Sequence, residues 1–191
     1  MNAPELEQEK IEFTRDEDLL PPPELEEAWL AHPEIVKIGD PLLRKVAEPV
    51  AKIDGKTRVL IDFMEKTMRK ASGLGLAAPQ LGYSIRLFIY DAGDGVKVLI
   101  NPVISGKRGE QIEPAEGCLS IPGLRGDVKR ANELRVKAYN RHGKPFSFKA
   151  KELEARVILH EIDHLDGILF VDRVEPGTLR WGVEDDDEGE E

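Results

Sequence analysis

Apolar residues recur along this chain with two different periods, and each period predicts an element. Val59, Leu60, Phe63, Met64, Thr67 and Met68 fall at i, i+1, i+4, i+5, i+8 and i+9, the spacing of one helix face. Asp54-Gly55 supplies a start for that helix and Ser72-Gly73 an end, and on this face Met64 and Met68 read as core. Strand-like runs cover Ile85 to Tyr90 and Val96 to Ile100, joined by a turn at residues 91–95, which predicts a hairpin. From Asn101-Pro102 a further stretch leads through Ile104 and Ile112 to Cys118. Leu134 to Tyr139 alternates as a strand, and residues 140–144 form a turn that leaves His142 solvated. A last helix is predicted from Lys151 onward, free of Gly and Pro through Leu159, with Gly167 as its stop. The core is expected to end near Trp181.

At 191 residues the chain suits one domain with a good core. A content of 40% hydrophobic and 34% charged residues fits a globular protein, and no apolar run approaches the 18 residues of a membrane span. The N-terminus has neither a signal-peptide nor a transit-peptide pattern. A single cysteine excludes an internal disulfide framework and suits a reducing compartment, so a cytoplasmic location is expected. Charge then divides the chain. Residues 1–31 hold ten acids against Lys10 and Arg15, interrupted by Pro21-Pro22-Pro23, and residues 184–191 hold seven acids and no base. Both ends are expected to be flexible acidic extensions of a domain at 32–183. Within the first of them, residues 24–30 predict a short helix that docks through Trp29 and Leu30. The whole chain carries a net charge of −10, yet the domain between its ends is mildly basic.

The last helix carries the chemistry. In His160-Glu161-Ile162-Asp163-His164 the two histidines lie one turn apart on one face, where two imidazoles can grip one metal ion. Val157, His160, Glu161, His164 and Ile168 share that face, which sets a polar trio in an apolar stripe. A glutamate between the ligands is placed to act as general base. The plainer reading is a pair of surface histidines. A catalytic ion needs a third protein ligand, and the lone Cys118, in Glu116-Gly117-Cys118-Leu119-Ser120, is a candidate for it or a small buried apolar residue. His32 is discounted as a ligand. Gly73 to Gln80, reading GLGLAAPQ, lets backbone pass close to something, or is a tight helix-to-strand connection. No phosphate-loop Gly-Lys-Ser/Thr follows it.

In order, GLGLAAPQ, EGCLS and HEIDH resemble the three motifs of the peptide deformylases, and IVKIGDPLLRKVAEPV resembles that family's start. The resemblance spans roughly Ile35 to Val174. It departs from the family at Leu159, where Gln is usual, and in the acidic ends. It implies a single α+β domain, mostly antiparallel strands packed around a long metal-binding helix. It implies metal ligation by Cys118, His160 and His164, with Fe²⁺ as the working ion and Zn²⁺ or Ni²⁺ as occupants after purification. Glu161 would be the base, and the Gln80 amide with the Leu119 N–H would receive the oxyanion. Backbone at Leu74, Gly75 and Gly117 would border the substrate, an N-formylmethionyl nascent peptide lying as an added strand. The ribosome exit region is the implied workplace, with no membrane and no sequence-specific nucleic acid as partner. Asp163 and Glu116 are acids suited to orient the ligands from behind, with Arg125 or Arg130. Three rivals stay open on the residues alone: a metal-free thiol hydrolase using Cys118, a peptide-binding relative without turnover, and a two-histidine zinc protease.

Overall fold

The computed structural model describes residues 15–182; residues 1–14 and 183–191, where most of the acidic ends lie, are outside it. Two antiparallel sheets and a long helix form one α+β unit. The first sheet has five strands in the order β1 (Gly75–Ala77), β2 (Leu87–Tyr90), β3 (Lys97–Arg108), β6 (Glu133–Tyr139) and β7 (Pro145–Lys151). The second has three, β4 (Gln111–Cys118), β5 (Ile121–Arg130) and β8 (Arg180–Trp181).

Helix α2 (Gly55–Lys70) and helix α3 (Glu152–Leu165) cover opposite faces of the first sheet. Successive strand side chains point to opposite faces, which explains why all four residues of β2 are buried. Leu87 and Ile89 pack with Ile61, Met64 and Met68 of α2. Phe88 and Tyr90 pack with Val157, Ile158 and Leu165 of α3. The second sheet has its own cluster, in which Ile121, Leu124 and Val128 meet Leu43, Phe170 and Val171.

Sequence periodicity placed α2, and Met64, Thr67 and Met68 are buried as read, but the edge of its inner face differs. Thr57, Ile61, Met64 and Met68 point inward at helical spacing, whereas Val59 and Phe63 are exposed. Asp54 caps the helix by accepting from the Lys56 and Thr57 N–H groups, and this turns Thr57 inward. The hairpin of β2 and β3 forms as expected, but β3 does not stop at Ile100. It bulges past Pro102, with Asn101 at φ +50°. The Asn101 side chain stabilises that bulge, accepting from the Val50 N–H at 2.8 Å and donating to the Val50 carbonyl at 3.0 Å. Strands β5 and β7 add two elements that the patterning left unread.

Gly167 ends α3 as expected: it sits at φ +72°, and a Cβ there would meet the Arg44 carbonyl. The described part of the N-terminal extension, residues 15–31, is packed on the domain rather than free. Leu19 and Leu25 are buried, Asp16 pairs with Arg44, and α1 (Glu26–Leu30) sets Trp29 edge-on to Trp181. Leu30, expected to dock, is exposed instead. No helix among the described residues is long and apolar enough to cross a membrane.

The face of α2 is testable by a pair of truncations. Ile61→Ala should cost about 2–5 kcal/mol and Val59→Ala no more than about 0.5 kcal/mol. Urea unfolding of the two variants checks this, and equal losses would contradict the observed face.

Candidate active site

Strand β4 ends at Cys118, and α3 carries both histidines of its motif past that end. The Cys118 Sγ and one ring nitrogen each of His160 and His164 lie within 4.8 Å of one another. His164 Nε2 is 3.2 Å from Sγ, and the two imidazoles meet edge-on with centroids 5.0 Å apart. Cys118 and His164 are buried, while His160 keeps 12% of its side chain exposed and faces a cleft of about 600 Å³.

A buried ion-pair chain holds these groups from behind. Glu116 Oε1 lies 2.7 Å from His160 Nδ1, so the Nδ1 hydrogen is engaged there and Nε2 is left as the lone-pair donor. Arg130, 3% exposed, donates to both Glu116 oxygens at 2.7 and 2.6 Å and to Asp163 at 2.9 Å. Arg173 donates to the same Asp163 at 2.7 and 2.8 Å. Of the two arginines weighed from sequence, Arg130 is the one in this chain; Arg125 lies against Gly117, whose missing side chain makes its room. Burial acts to raise the Glu116 carboxyl, but Arg130 and His160 outweigh it and hold it down to about 2. Burial lowers the His164 pKa well below the ordinary range, so His164 is a neutral donor.

This donor set fits a divalent transition-metal ion: one thiol and two imidazoles converge, with the tautomer of His160 fixed by a carboxylate.

Glu161 sits beside the cluster, buried, with Oε2 lacking a hydrogen-bond partner among the described residues. Burial, partly offset by His160, raises its pKa to about 7. The glycine-rich segment explains how it fits. A Cβ on Gly75 would collide with the Glu161 carboxylate, so a side chain there would push the carboxylate out of its place. After β1 the chain turns through a 3₁₀ segment, Ala78–Leu81, that carries Gln80 inward. The Gln80 carbonyl accepts from the Ala77 N–H at 2.8 Å, which aims its NH₂ at Ser120 Oγ (3.2 Å) and Cys118 Sγ (3.6 Å).

Leu74, Gly75, Gln80, Gly117, Cys118, Leu119, His160 and Glu161 therefore line one cleft, and His164 lies directly behind it. His142 is exposed and outside the cluster, as expected. Sequence reasoning assigned no part of the cleft to several residues that also line it, among them Leu25, Ala28, Ala31, His32, Pro122, Arg156 and Gly182. His32 is outside the ligand cluster, which agrees with its dismissal as a ligand, but it belongs to the wall. Nothing in two alanines signals such a place.

Arg130→Met should leave two carboxylates buried beside an apolar side chain. The expected cost is about 3–5 kcal/mol in stability and about 10–100-fold in metal affinity. Denaturant unfolding and a metal titration read the two effects separately. The Glu116 pKa is depressed, so its stabilising effect is present above the ordinary value of 4.5 and is lost as pH falls toward 2. The stability gap between wild type and variant should close over that window.

A family model described as polypeptide deformylase matches residues 32–179. The peptide deformylase of Acetivibrio thermocellus is 52% identical over 136 residues, covering 71% of this chain and 79% of its own. Among solved structures, the Thermotoga maritima peptide deformylase superposes with a TM-score of 0.73 at 40% identity, over 74% of this chain and 97% of that one. A peptide deformylase from Synechococcus elongatus, in complex with actinonin, gives a TM-score of 0.71 at 45% identity, over 74% of this chain and 78% of that one. The matched stretch contains every residue of the thiol–imidazole cluster and its ion-pair chain. This chain thus belongs to the peptide deformylase family, metal-dependent amide hydrolases that remove the formyl group from newly made polypeptides.

Proposed function

We infer that the cleft performs this deformylation with Cys118, His160 and His164 as the metal ligands and Glu161 as the general base. The convergence of the three donors within 4.8 Å, beside a buried and unpartnered Glu161 oxygen, carries the assignment. A bound divalent ion supplies positive charge that polarises the formyl carbonyl and acidifies water. The working ion is read as Fe²⁺, with Zn²⁺ or Ni²⁺ able to take its place, since thiolate and imidazole suit all three. An iron–thiolate site should be sensitive to oxygen.

Glu161 takes one proton from the attacking water as its oxygen bonds to the formyl carbon. With its pKa raised to about 7, the Glu161 carboxylate is a stronger base than a surface glutamate. The developing oxyanion is received by the Gln80 NH₂, already aimed at the Cys118 end of the cleft, and by the Leu119 N–H. When the C–N bond breaks, Glu161 returns its proton to the leaving amine nitrogen. The remaining acid proton of formic acid passes to the amine, leaving formate and a free N-terminus.

Backbone at Leu74 and Gly75 on one side and at Gly117 on the other borders the peptide, which lies between them as an extended strand. The chemistry is assigned to the domain at 32–183. Its substrate is a nascent chain beginning with N-formylmethionine, met in the cytoplasm near the ribosome. The acidic ends screen a mildly basic domain from nucleic acid over the ~8 Å reach of charge at physiological salt.

The 3.2 Å approach of His164 Nε2 to Cys118 Sγ also suits a thiol nucleophile activated by a histidine. Metal analysis separates the two. Cys118→Ala and chelation should each remove metal and formate release together, whereas a thiol enzyme would survive chelation.

Glu161→Gln should keep its metal, lower kcat by about 10²–10⁴ and flatten the acidic limb of the pH–rate profile. Gln80→Leu should keep metal and lose about 10²–10³ in turnover. Formate release from formyl-Met-Ala-Ser, with elemental analysis of anaerobically purified protein, reads both. Loss of metal from the Glu161 variant would move that residue from base to ligand.

A further inference from the structure

The cleft has a wall that the family match does not contain. Leu25, Ala28 and Ala31 precede the matched residues, 32–179, and Gly182 follows them, yet all four line the cavity that holds Cys118, His160 and Glu161. Matching residues amount to 74% of this chain but 97% of the Thermotoga maritima protein, which leaves that protein almost nothing from which to build an equivalent.

The wall is built and anchored. Leu25, Ala28 and Ala31 recur at intervals of three, so one side of the segment made of a 3₁₀ turn, Pro23–Leu25, and α1 faces the cleft. Leu25 is buried over Gly123, where a Cβ would lie 2.7 Å from its Cδ1. Trp29, at the next position round, turns away from the cleft onto Trp181. The Gly182 N–H donates to the Gly123 carbonyl at 2.8 Å, which fixes the stretch after β8 to the same strand. Asp16 on Arg44 and buried Leu19 hold the segment further back. What this wall presents is apolar and small: two exposed alanine methyl groups beside Pro122 and Leu119.

We propose that the segment 25–31, with Gly182, is a specificity wall that contacts the substrate residues following formylmethionine and sets how bulky they can be. The inference rests on the deformylase reading, because it takes the extended peptide of that reading as the occupant. The metal, the base and the oxyanion donors all belong to 32–179, so the wall acts on peptide binding and not on the bond-breaking step. Its signature is a change in KM that grows with peptide length.

The test places one bulky side chain at three positions of the same segment. Ala28→Trp and Ala31→Trp fill the cleft side, and Leu30→Trp alters a residue 64% exposed and outside the lining. Thermal midpoints establish that all three fold. For the two alanine variants, KM for formyl-Met-Ala-Ser should rise by at least about tenfold relative to KM for formyl-Met alone. Leu30→Trp should keep the wild-type ratio. Trp29→Ala, which removes the anchor on Trp181, should narrow the wild-type preference between small and bulky residues at the second and third positions. An unchanged KM ratio in both alanine variants, or the same shift in Leu30→Trp, would overturn the wall. Absence of formate release from formyl-Met by wild type would overturn the deformylase reading itself, which separates the two failures.

Discussion

One buried arginine holds the active centre together. Arg130 comes from β5, Glu116 from β4, and Asp163 from α3, so its guanidinium ties the second sheet to the helix that packs on the first. Taking a charge out of water costs several kcal/mol, and such a group is stable only when its hydrogen bonds are satisfied. Here three donor contacts meet two carboxylates, and Arg173 balances the second of them. The same salt bridge that joins the layers also orients His160 through Glu116. Structure and reactivity share one set of atoms, so the position of a ligand nitrogen is set by the docking of two sheets.

A second constraint is space. Glu161 is buried beside β1, and residue 75, having no side chain, leaves the room its carboxylate occupies. Burial in turn raises the carboxyl to about 7, toward the range useful for moving protons at neutral pH. A glycine thus sets the basicity of a residue far from it in sequence. Gln80 follows the same logic: a backbone N–H at Ala77 occupies its carbonyl and so decides where its amide points.

The helix of the site was legible because a polar trio interrupts an apolar stripe, and the GLGLAAPQ, EGCLS and HEIDH order was enough to suggest the family and its fold. Strand β5 was not legible, for a reason bound up with its role. Its inward positions are Ile121, Leu124, Gly126, Val128 and Arg130, so a glycine and a charge break the alternation that marks a strand. Arg130 hid the element that carries it. Strand β7 alternates Phe146, Phe148 and Ala150 against Pro, Ser and Lys, but its first residues follow a turn and its last runs directly into α3. Leu159, where the family usually has Gln, is buried against the first sheet, where an apolar side chain is at home. The face of α2 was legible in Met64, Thr67 and Met68, which are buried as read; Val59 and Phe63 were added to it because they extend the same apolar spacing, and Ile61 was missed.

The contact of Trp29 with Trp181 has a consequence in time. It joins residues 152 positions apart, and β8, which carries Trp181, is the last strand among the described residues and leaves a ribosome after α3. Contacts of such sequence separation carry the largest loop-closure cost and form late. The thiol and imidazoles can converge once α3 has been synthesised, whereas the N-terminal segment must wait for β8 before it has a place to dock. This protein is therefore built to acquire its chemistry before its cleft is complete, and a segment made before the domain settles after it.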